Sequence, residues 1–190
     1  MEEQRVKIAG FGGQGIILMA YILGKAVSIY DGKFSAMTEA YGPESRGGAC
    51  SSQLVISGTE VNYPLVDKAD VLIALSQEGY DTFKGIVDEG GTVFYETDLV
   101  KNVRHHAKTK VFDIPCTRLA EEMGKKIVAN IVMLGFITAK AKIASKEAML
   151  RAIKESVPEK FIALNVSAFE KGYAHALERT AGKKPKGVVK

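Results

Sequence analysis

An α/β fold with a doubly wound, mostly parallel sheet and a helical cover at its C-terminal end follows from three observations. Apolar runs of strand length alternate with amphipathic stretches of helical period along the first part of the chain. Four glycines, Gly10, Gly12, Gly13 and Gly15, crowd the junction between the first apolar run and the first amphipathic stretch. After Thr117 the strand signal fades and only helical periodicity remains.

Val6 to Ala9 reads as a buried strand, and Gln14 to Ser28 as a helix with Ile17, Leu18, Tyr21, Ile22 and Ala26 recurring at i, i+3/i+4. Asp31-Gly32 closes that unit. Lys33 to Ala40 reads as a second strand, Tyr41 to Gly48 as a turn-rich loop, and Ser52 to Ser57 as a returning strand. Asn62-Tyr63-Pro64 precedes Ala69 to Leu75, an apolar run suited to a strand buried on both faces. Ser76 to Asp88 reads as a helix, and Gly90-Gly91 as a turn into the strand Thr92 to Glu96. Lys110 to Ile114 is the last strand before Pro115. Arg118 to Met123, Ile127 to Lys142, Lys146 to Ser156 and Asn165 to Arg179 then carry helical periodicity. Ser145 is placed as an N-cap, with Glu147 set against the helix dipole.

A chain of 190 residues suits one α/β domain, here residues 1–180, followed by a basic, frayed tail, 181–190. The composition, 46% hydrophobic and 25% charged, is that of an ordinary globular protein. The apolar stretches Ile16 to Leu23 and Ile127 to Ala139 fall short of the roughly 20 residues that span a bilayer, and the charged opening Met1 to Arg5 is unlike a signal peptide. A cytoplasmic location is expected. Much of the net charge of +4 comes from Lys183, Lys184, Lys186 and Lys190 in a tail without aromatic residues, which argues against nucleic-acid binding. Cys50 and Cys116 belong to no CxxC pair or Cys/His cluster, so this chain is not expected to hold an iron–sulfur cluster or zinc unaided. His105-His106, in a basic segment without acidic or cysteine companions, reads as a solvated loop, and His175 as a surface or packing residue.

Gly10, Gly12 and Gly15 match GxGxxG between a strand and a helix, where missing side chains let the backbone approach an anion and the helix N-terminus supplies amide donors. The fold is Rossmann-like on this reading. A nicotinamide dehydrogenase also needs an acidic residue at the end of the second strand for the ribose 2′-hydroxyl. Asp31 comes too early; Glu39 is the remaining candidate, but it stands beside an extra loop. That loop, Tyr41-Gly42-Pro43-Glu44-Ser45-Arg46-Gly47-Gly48, combines a guanidinium, a hydroxyl and backbone amides that can form a nest for phosphate or carboxylate. The alternatives are an internal pairing of Arg46 with Glu44 or Glu39, or reception of the loop by a partner protein.

With both glycine clusters in view, the chain resembles the gamma subunit of the 2-oxoacid:ferredoxin oxidoreductases. The resemblance rests on Gly10 to Gly15 followed by Ile16 to Leu18, on Tyr41 to Gly48, and on Asp70 to Glu78 after Pro64. Ser45 to Gly48 and Leu75-Ser76-Gln77 look more like 2-oxoglutarate subunits than pyruvate or branched-chain ones. The resemblance implies a non-autonomous oxidoreductase subunit whose alpha, beta and ferredoxin-like partners carry thiamine diphosphate and iron–sulfur clusters and pass electrons to ferredoxin. This chain shows no thiamine-binding GDG signature. It further implies coenzyme A as a ligand of the completed cleft. Gly10, Gly12, Gly13, Gln14 and Gly15 are then expected to face a phosphate or a partner loop. Ser45, Arg46, Gly47 and Gly48 are expected to face a coenzyme A phosphate or a substrate carboxylate. No residue of this chain is expected to be catalytic or to bind metal, and in isolation a homodimer or partner-dependent behaviour is expected. A stand-alone dinucleotide-binding dehydrogenase and a purely structural assembly module are the rival readings.

Overall fold

The apolar run at Ala69 and Val71 to Ala74 is buried on both faces of a sheet, as a strand without polar alternation requires. The computed structural model describes residues 3–42 and 48–178. Its six strands are β1 (Gln4–Phe11), β2 (Phe34–Tyr41), β3 (Ala49–Ser57), β4 (Ala69–Ala74), β5 (Val87–Glu96) and β6 (Lys110–Ile114), in the spatial order β2-β3-β1-β4-β5-β6. β1, β4, β5 and β6 are parallel. β3 is antiparallel to both β1 and β2, so the two strands flanking the turn-rich loop form a hairpin at one edge. The sheet is thus mostly parallel, as expected.

The helices are α1 (Ile16–Lys25), α2 (Gln77–Phe83), α3 (Cys116–Glu122), α4 (Ala129–Ala141), α5 (Lys146–Ser156) and α6 (Ile162–Glu178). They are shared unequally between the two faces. Val6, Ile8, Leu54, Ile56, Val71, Ile73 and Phe94 meet α1 and α3 to α6 in one large core. On the opposite face, Leu72, Ala74 and Val93 meet Tyr80 of α2 and Val100, and Val55 and Ala69 meet Val66. Among the described residues, no helix is long and apolar enough to cross a membrane.

Three expected elements change. The first helix starts at Ile16 because Gly15 is left-handed, φ +73°, and after Lys25 the chain widens into a π-helical turn, Ala26–Tyr30. The second helix stops at Phe83. Val87 is drawn into parallel pairing with Ala69, and Gly90, φ +86°, lies in an irregularity within β5 rather than in a turn before it. Pairing with β4 overrides local propensity there. The C-terminal helices are more than cover: α4 is buried from Asn130 to Thr138, which makes it a central helix that is apolar on nearly every side. By contrast, β6 and α5 have the expected bounds, and Ser145 caps α5 by accepting from the Ala148 amide at 3.1 Å.

α4 and α6 cross through two glycines. A Cβ on Gly135 would overlap the Phe169 carbonyl, and one on Gly172 would overlap the Val132 carbonyl. Both obstacles are backbone, which cannot rotate away. Alanine at a helical glycine gains roughly 1 kcal/mol of propensity, but overpacking costs about 1–3 kcal/mol or more. Gly172→Ala is therefore expected to destabilise the chain by about 2 kcal/mol in urea denaturation, against the sign that propensity alone gives.

Candidate functional site

β1 ends at Phe11 and α1 starts at Ile16, so Gly12 to Gly15 make the turn at the sheet's C-terminal edge. Each part of it has a separate physical reason. A Cβ on Gly10 would overlap the side-chain oxygen Oε1 of Gln14 and lie 2.7 Å from Ile16 Cδ1. With that space free, Gln14 lies across the ends of two strands: its Oε1 accepts from the Phe11 amide at 2.6 Å and its Nε2 donates to the Leu75 carbonyl at 2.9 Å. Gly13 needs its glycine for backbone angle alone, φ +94° with open space around it. Gly15 needs it twice, because a Cβ would also overlap the Asn130 amide nitrogen. Asn130 donates to the Gly15 carbonyl at 3.4 Å and so ties the buried start of α4 to the turn.

The turn leaves donors free. The first bond of α1 runs from the Met19 amide to the Gly15 carbonyl at 3.0 Å, so the amides of Ile16, Ile17 and Leu18 have no partner within the helix. Gly15, the cap residue, has no side chain with which to accept from that turn, and the first turn holds no acidic residue. Within that turn no acidic side chain offsets the positive end of the helix dipole. Gly12 and Gly13 beside it are exposed.

The two glycine clusters meet. The Gly12 amide donates to the Gly48 carbonyl at 2.9 Å, and the Gly42 amide donates to the Ala49 carbonyl at 2.7 Å to close the hairpin. Ser45, Arg46 and Gly47 lie outside the described residues, as does the expected basic tail. Beside this junction, on the α2 side, a cleft of about 170 Å³ is lined by Ala9, Gly10, Ala40, Tyr41, Ser51 and Phe83, among others. Ser76 caps α2, accepting from the Gly79 amide at 3.0 Å. The missing side chain of Gly79 lets that first turn rest on β1, where a Cβ would come within 2.9 Å of Ala9 Cβ.

The dehydrogenase arrangement does not form. The place beside β1 is held by antiparallel β3, and Glu39 is exposed on edge strand β2, hydrogen-bonded to Tyr41. Cys50 and Cys116 are both buried, and burial raises both thiol pKa values. Among the described residues, no group of three or more His, Cys, Asp or Glu side chains could hold a metal ion. His105 and His106 sit on an exposed loop, with His106 Nε2 3.8 Å from Glu89.

Sequence reasoning passed over Glu96, the last residue of β5. It is fully buried, and its Oε2 accepts from the Asp98 and Leu99 amides at 2.7 and 2.9 Å while Oε1 faces the Thr117 amide at 3.4 Å. This carboxylate ties the turn after β5 to the start of α3. Burial raises its pKa above the usual glutamate range against the pull of those three amides. Its signal in the sequence was an acid at a strand end, directly before a turn.

The chain matches a family model described as pyruvate ferredoxin/flavodoxin oxidoreductase over residues 5–175. It is 46% identical over 177 residues to the 2-oxoglutarate synthase subunit KorC of Methanocaldococcus jannaschii, covering 92% of this chain and 95% of the relative. Among solved structures, the gamma subunit of a keto/oxoacid ferredoxin oxidoreductase from Geobacter sulfurreducens superposes with a TM-score of 0.81 at 37% identity, covering 92% of this chain and 99% of that one. A 2-oxoglutarate:ferredoxin oxidoreductase from Magnetococcus marinus, solved with 2-oxoglutarate, coenzyme A and succinyl-CoA, shares the fold with a TM-score of 0.83 at 23% identity. The likeness covers 94% of this chain and 32% of that one.

Two outcomes follow from the geometry. Gln14→Ala strands the Phe11 amide and the Leu75 carbonyl and is expected to cost about 1–3 kcal/mol, read from the urea midpoint. Glu96 keeps its proton to higher pH in the folded chain than in the unfolded one. Between the ordinary glutamate pKa and the raised one, the native state therefore binds more protons, and stability falls as pH rises through that window. Glu96→Gln is expected to remove this component of the slope when urea unfolding is followed across the acidic range.

Proposed function

The chain belongs to the pyruvate ferredoxin/flavodoxin oxidoreductase family, and from that premise we propose that it is the gamma subunit of a 2-oxoglutarate:ferredoxin oxidoreductase, one part of an enzyme rather than a complete one. Its similarity to a 2-oxoglutarate synthase subunit over almost its whole length supports that substrate. Its likeness in length and fold to a solved gamma subunit supports that place in the complex. The alpha, beta and ferredoxin-like partner subunits supply the thiamine diphosphate and iron–sulfur chemistry that turns a 2-oxoacid and coenzyme A into acyl-CoA, carbon dioxide and reduced ferredoxin. Two separate cysteines do not make a cluster site here, and no side chain in the described cleft forms an acid–base or nucleophile pair.

The observation that carries the role of this chain is the uncapped N-terminus of α1. Three amides without a partner inside the helix, two exposed glycines and a first turn with no acidic residue meet at a sheet edge to which Gly48 of the second glycine cluster is hydrogen-bonded. That arrangement binds an anion through backbone. On this reading Gly12, Gly13 and the first turn of α1 face a phosphate of coenzyme A. Ser45, Arg46, Gly47 and Gly48 are assigned the same ligand or the substrate carboxylate, from the chemistry of their side chains and amides. Gln14 serves by holding the turn open, with both ends of its amide engaged inside the chain.

Arg46→Ala in the assembled enzyme tests this. Loss of one charge-assisted hydrogen bond, about 1.5–3 kcal/mol, is expected to raise KM for coenzyme A at least tenfold while the subunits still co-purify. Unchanged KM for both coenzyme A and 2-oxoglutarate excludes the direct anion role, and a full activity retained by this chain alone excludes the subunit reading.

A further inference from the structure

Lys7 stands in the middle of β1 and is only 7% exposed. Its Nζ donates to Gln53 Oε1 at 3.3 Å and lies 4.3 Å from the centre of the Phe83 ring, on the α2 face of the sheet. Gln53 in turn donates to Thr38 Oγ1 at 2.7 Å, so Lys7, Gln53 and Thr38 form one rung across β1, β3 and β2. An ammonium has three donors, and here a neutral amide meets one of them. Asp70 and Asp88, nearby in the sheet, are both engaged by Arg5. Among the described residues no carboxylate pairs with Lys7, and burial alone moves its pKa, downward. An unpaired buried charge is strongly unfavourable, and groups of this kind are ordinarily paired.

The surface around it is unfinished. α2 packs on this face against β1, β3 and β4. β2 has no fully buried residue; Phe34, Glu39, Ala40 and Tyr41 are exposed. Phe34, Ala36, Thr38 and Ala40 share one side of it by strand alternation. Its outer edge is unpaired in the sheet order, and its eight residues include one charge, Glu39, with neither lysine nor proline to blunt the edge. In the Magnetococcus enzyme the same fold makes up about a third of a longer chain.

We infer that the α2-side face of the β2–β3 hairpin docks a partner subunit of the oxidoreductase, which brings an acidic side chain to Lys7. The inference rests on the gamma-subunit reading above. The incoming carboxylate takes the spare donors of Nζ beside Phe83, and apolar side chains of the partner cover Phe34, Ala36 and Ala40. A small free anion satisfies the ammonium and leaves those three side chains uncovered, which favours a protein partner.

The test uses the full chain and its co-expressed partner subunits, with affinity read by surface binding and composition by native mass spectrometry. Lys7→Met keeps the stem and removes the charge; Ala36→Arg obstructs the face without touching Lys7. The melting temperature of the free chain is expected to hold or rise for Lys7→Met, while both variants weaken binding to the partner at least tenfold and Lys7→Arg retains it. Wild-type affinity in both variants overturns the inference. So does a lower melting temperature for Lys7→Met with assembly unchanged, which makes Lys7 a purely internal residue. A loss confined to KM for coenzyme A also overturns it, by assigning the charge to a small anion. If the wild-type chain binds no partner subunit, the gamma-subunit reading falls and takes this inference with it; equal assembly of all chains removes the inference alone.

Discussion

The antiparallel strand β3, laid between β1 and β2, is the constraint on which the rest of the structure depends. In a dinucleotide fold the strand after the first helix returns parallel beside β1 and carries the ribose acid at its end. Here β3 holds that place along the whole of β1, from Gln4 opposite Ile56 to Phe11 opposite Ala49. The register has two effects. It pushes β2 and Glu39 out to the sheet edge, and it delivers Gly48 to the glycine turn, where its carbonyl receives the Gly12 amide. One rearrangement thus replaces a ribose-reading strand by a second loop at the same edge.

The turn that results is held from inside and left open outside. Gln14 joins β1 to the end of β4, and Asn130 joins the turn to α4. Both use side-chain amides, which supply a donor and an acceptor without adding net charge to the site. A serine, threonine or aspartate at the cap position would consume a donor and, relative to glycine, gain only about a few tenths of a kcal/mol, while its Cβ would be strained at φ +73° and overlap Asn130. The chain has left-handed Gly15 there, with Ile16, Ile17 and Leu18 behind it. Backbone angle and the contact with Asn130 both require that glycine, and the first-turn amides behind it have no partner within the helix.

Elements set by local chemistry were legible in the sequence. β6 lies between a basic loop and Pro115, α5 follows its Ser145 cap, and the glycine turn sits where its spacing places it. Elements set by pairing were not. Alternation shows a strand but not its direction, so the hairpin between β2 and β3 was visible as two strands while its antiparallel insertion beside β1 was not. Val87 to Gly91 reads locally as a helix end and a turn, and becomes strand because β4 offers a parallel partner. The expected site was legible in its backbone and less so in its side chains. The direction of Gln14 depends on the empty space at Gly10 and on the Leu75 carbonyl, sixty-one residues away in sequence. The burial of Lys7 and Glu96 depends on which strands and turns close over them, and no spacing rule encodes that.

The unequal layering of the sheet gives these features a common sense. The face carrying α1 and α3 to α6 is a complete core that folds the chain. The opposite face is complete over β4 and β5, where Leu72, Ala74, Tyr80 and Val93 are buried, and incomplete toward β2. What is left unfinished on this face therefore lies toward one edge: an unpaired strand edge and an exposed apolar side on the β2–β3 hairpin and, among the described residues, an ammonium without a carboxylate on neighbouring β1. That hairpin ends in the loop whose Gly48 is bonded to the glycine turn. Strands transmit position well along their length, because a slip of one residue would turn every side chain to the wrong face. A partner seated on β2 and β3, as inferred from Lys7, would thus also fix the loop at their end against Gly12. Docking and anion binding, as proposed, would then act on the two ends of one hairpin, joined to the glycine turn by the Gly12–Gly48 hydrogen bond.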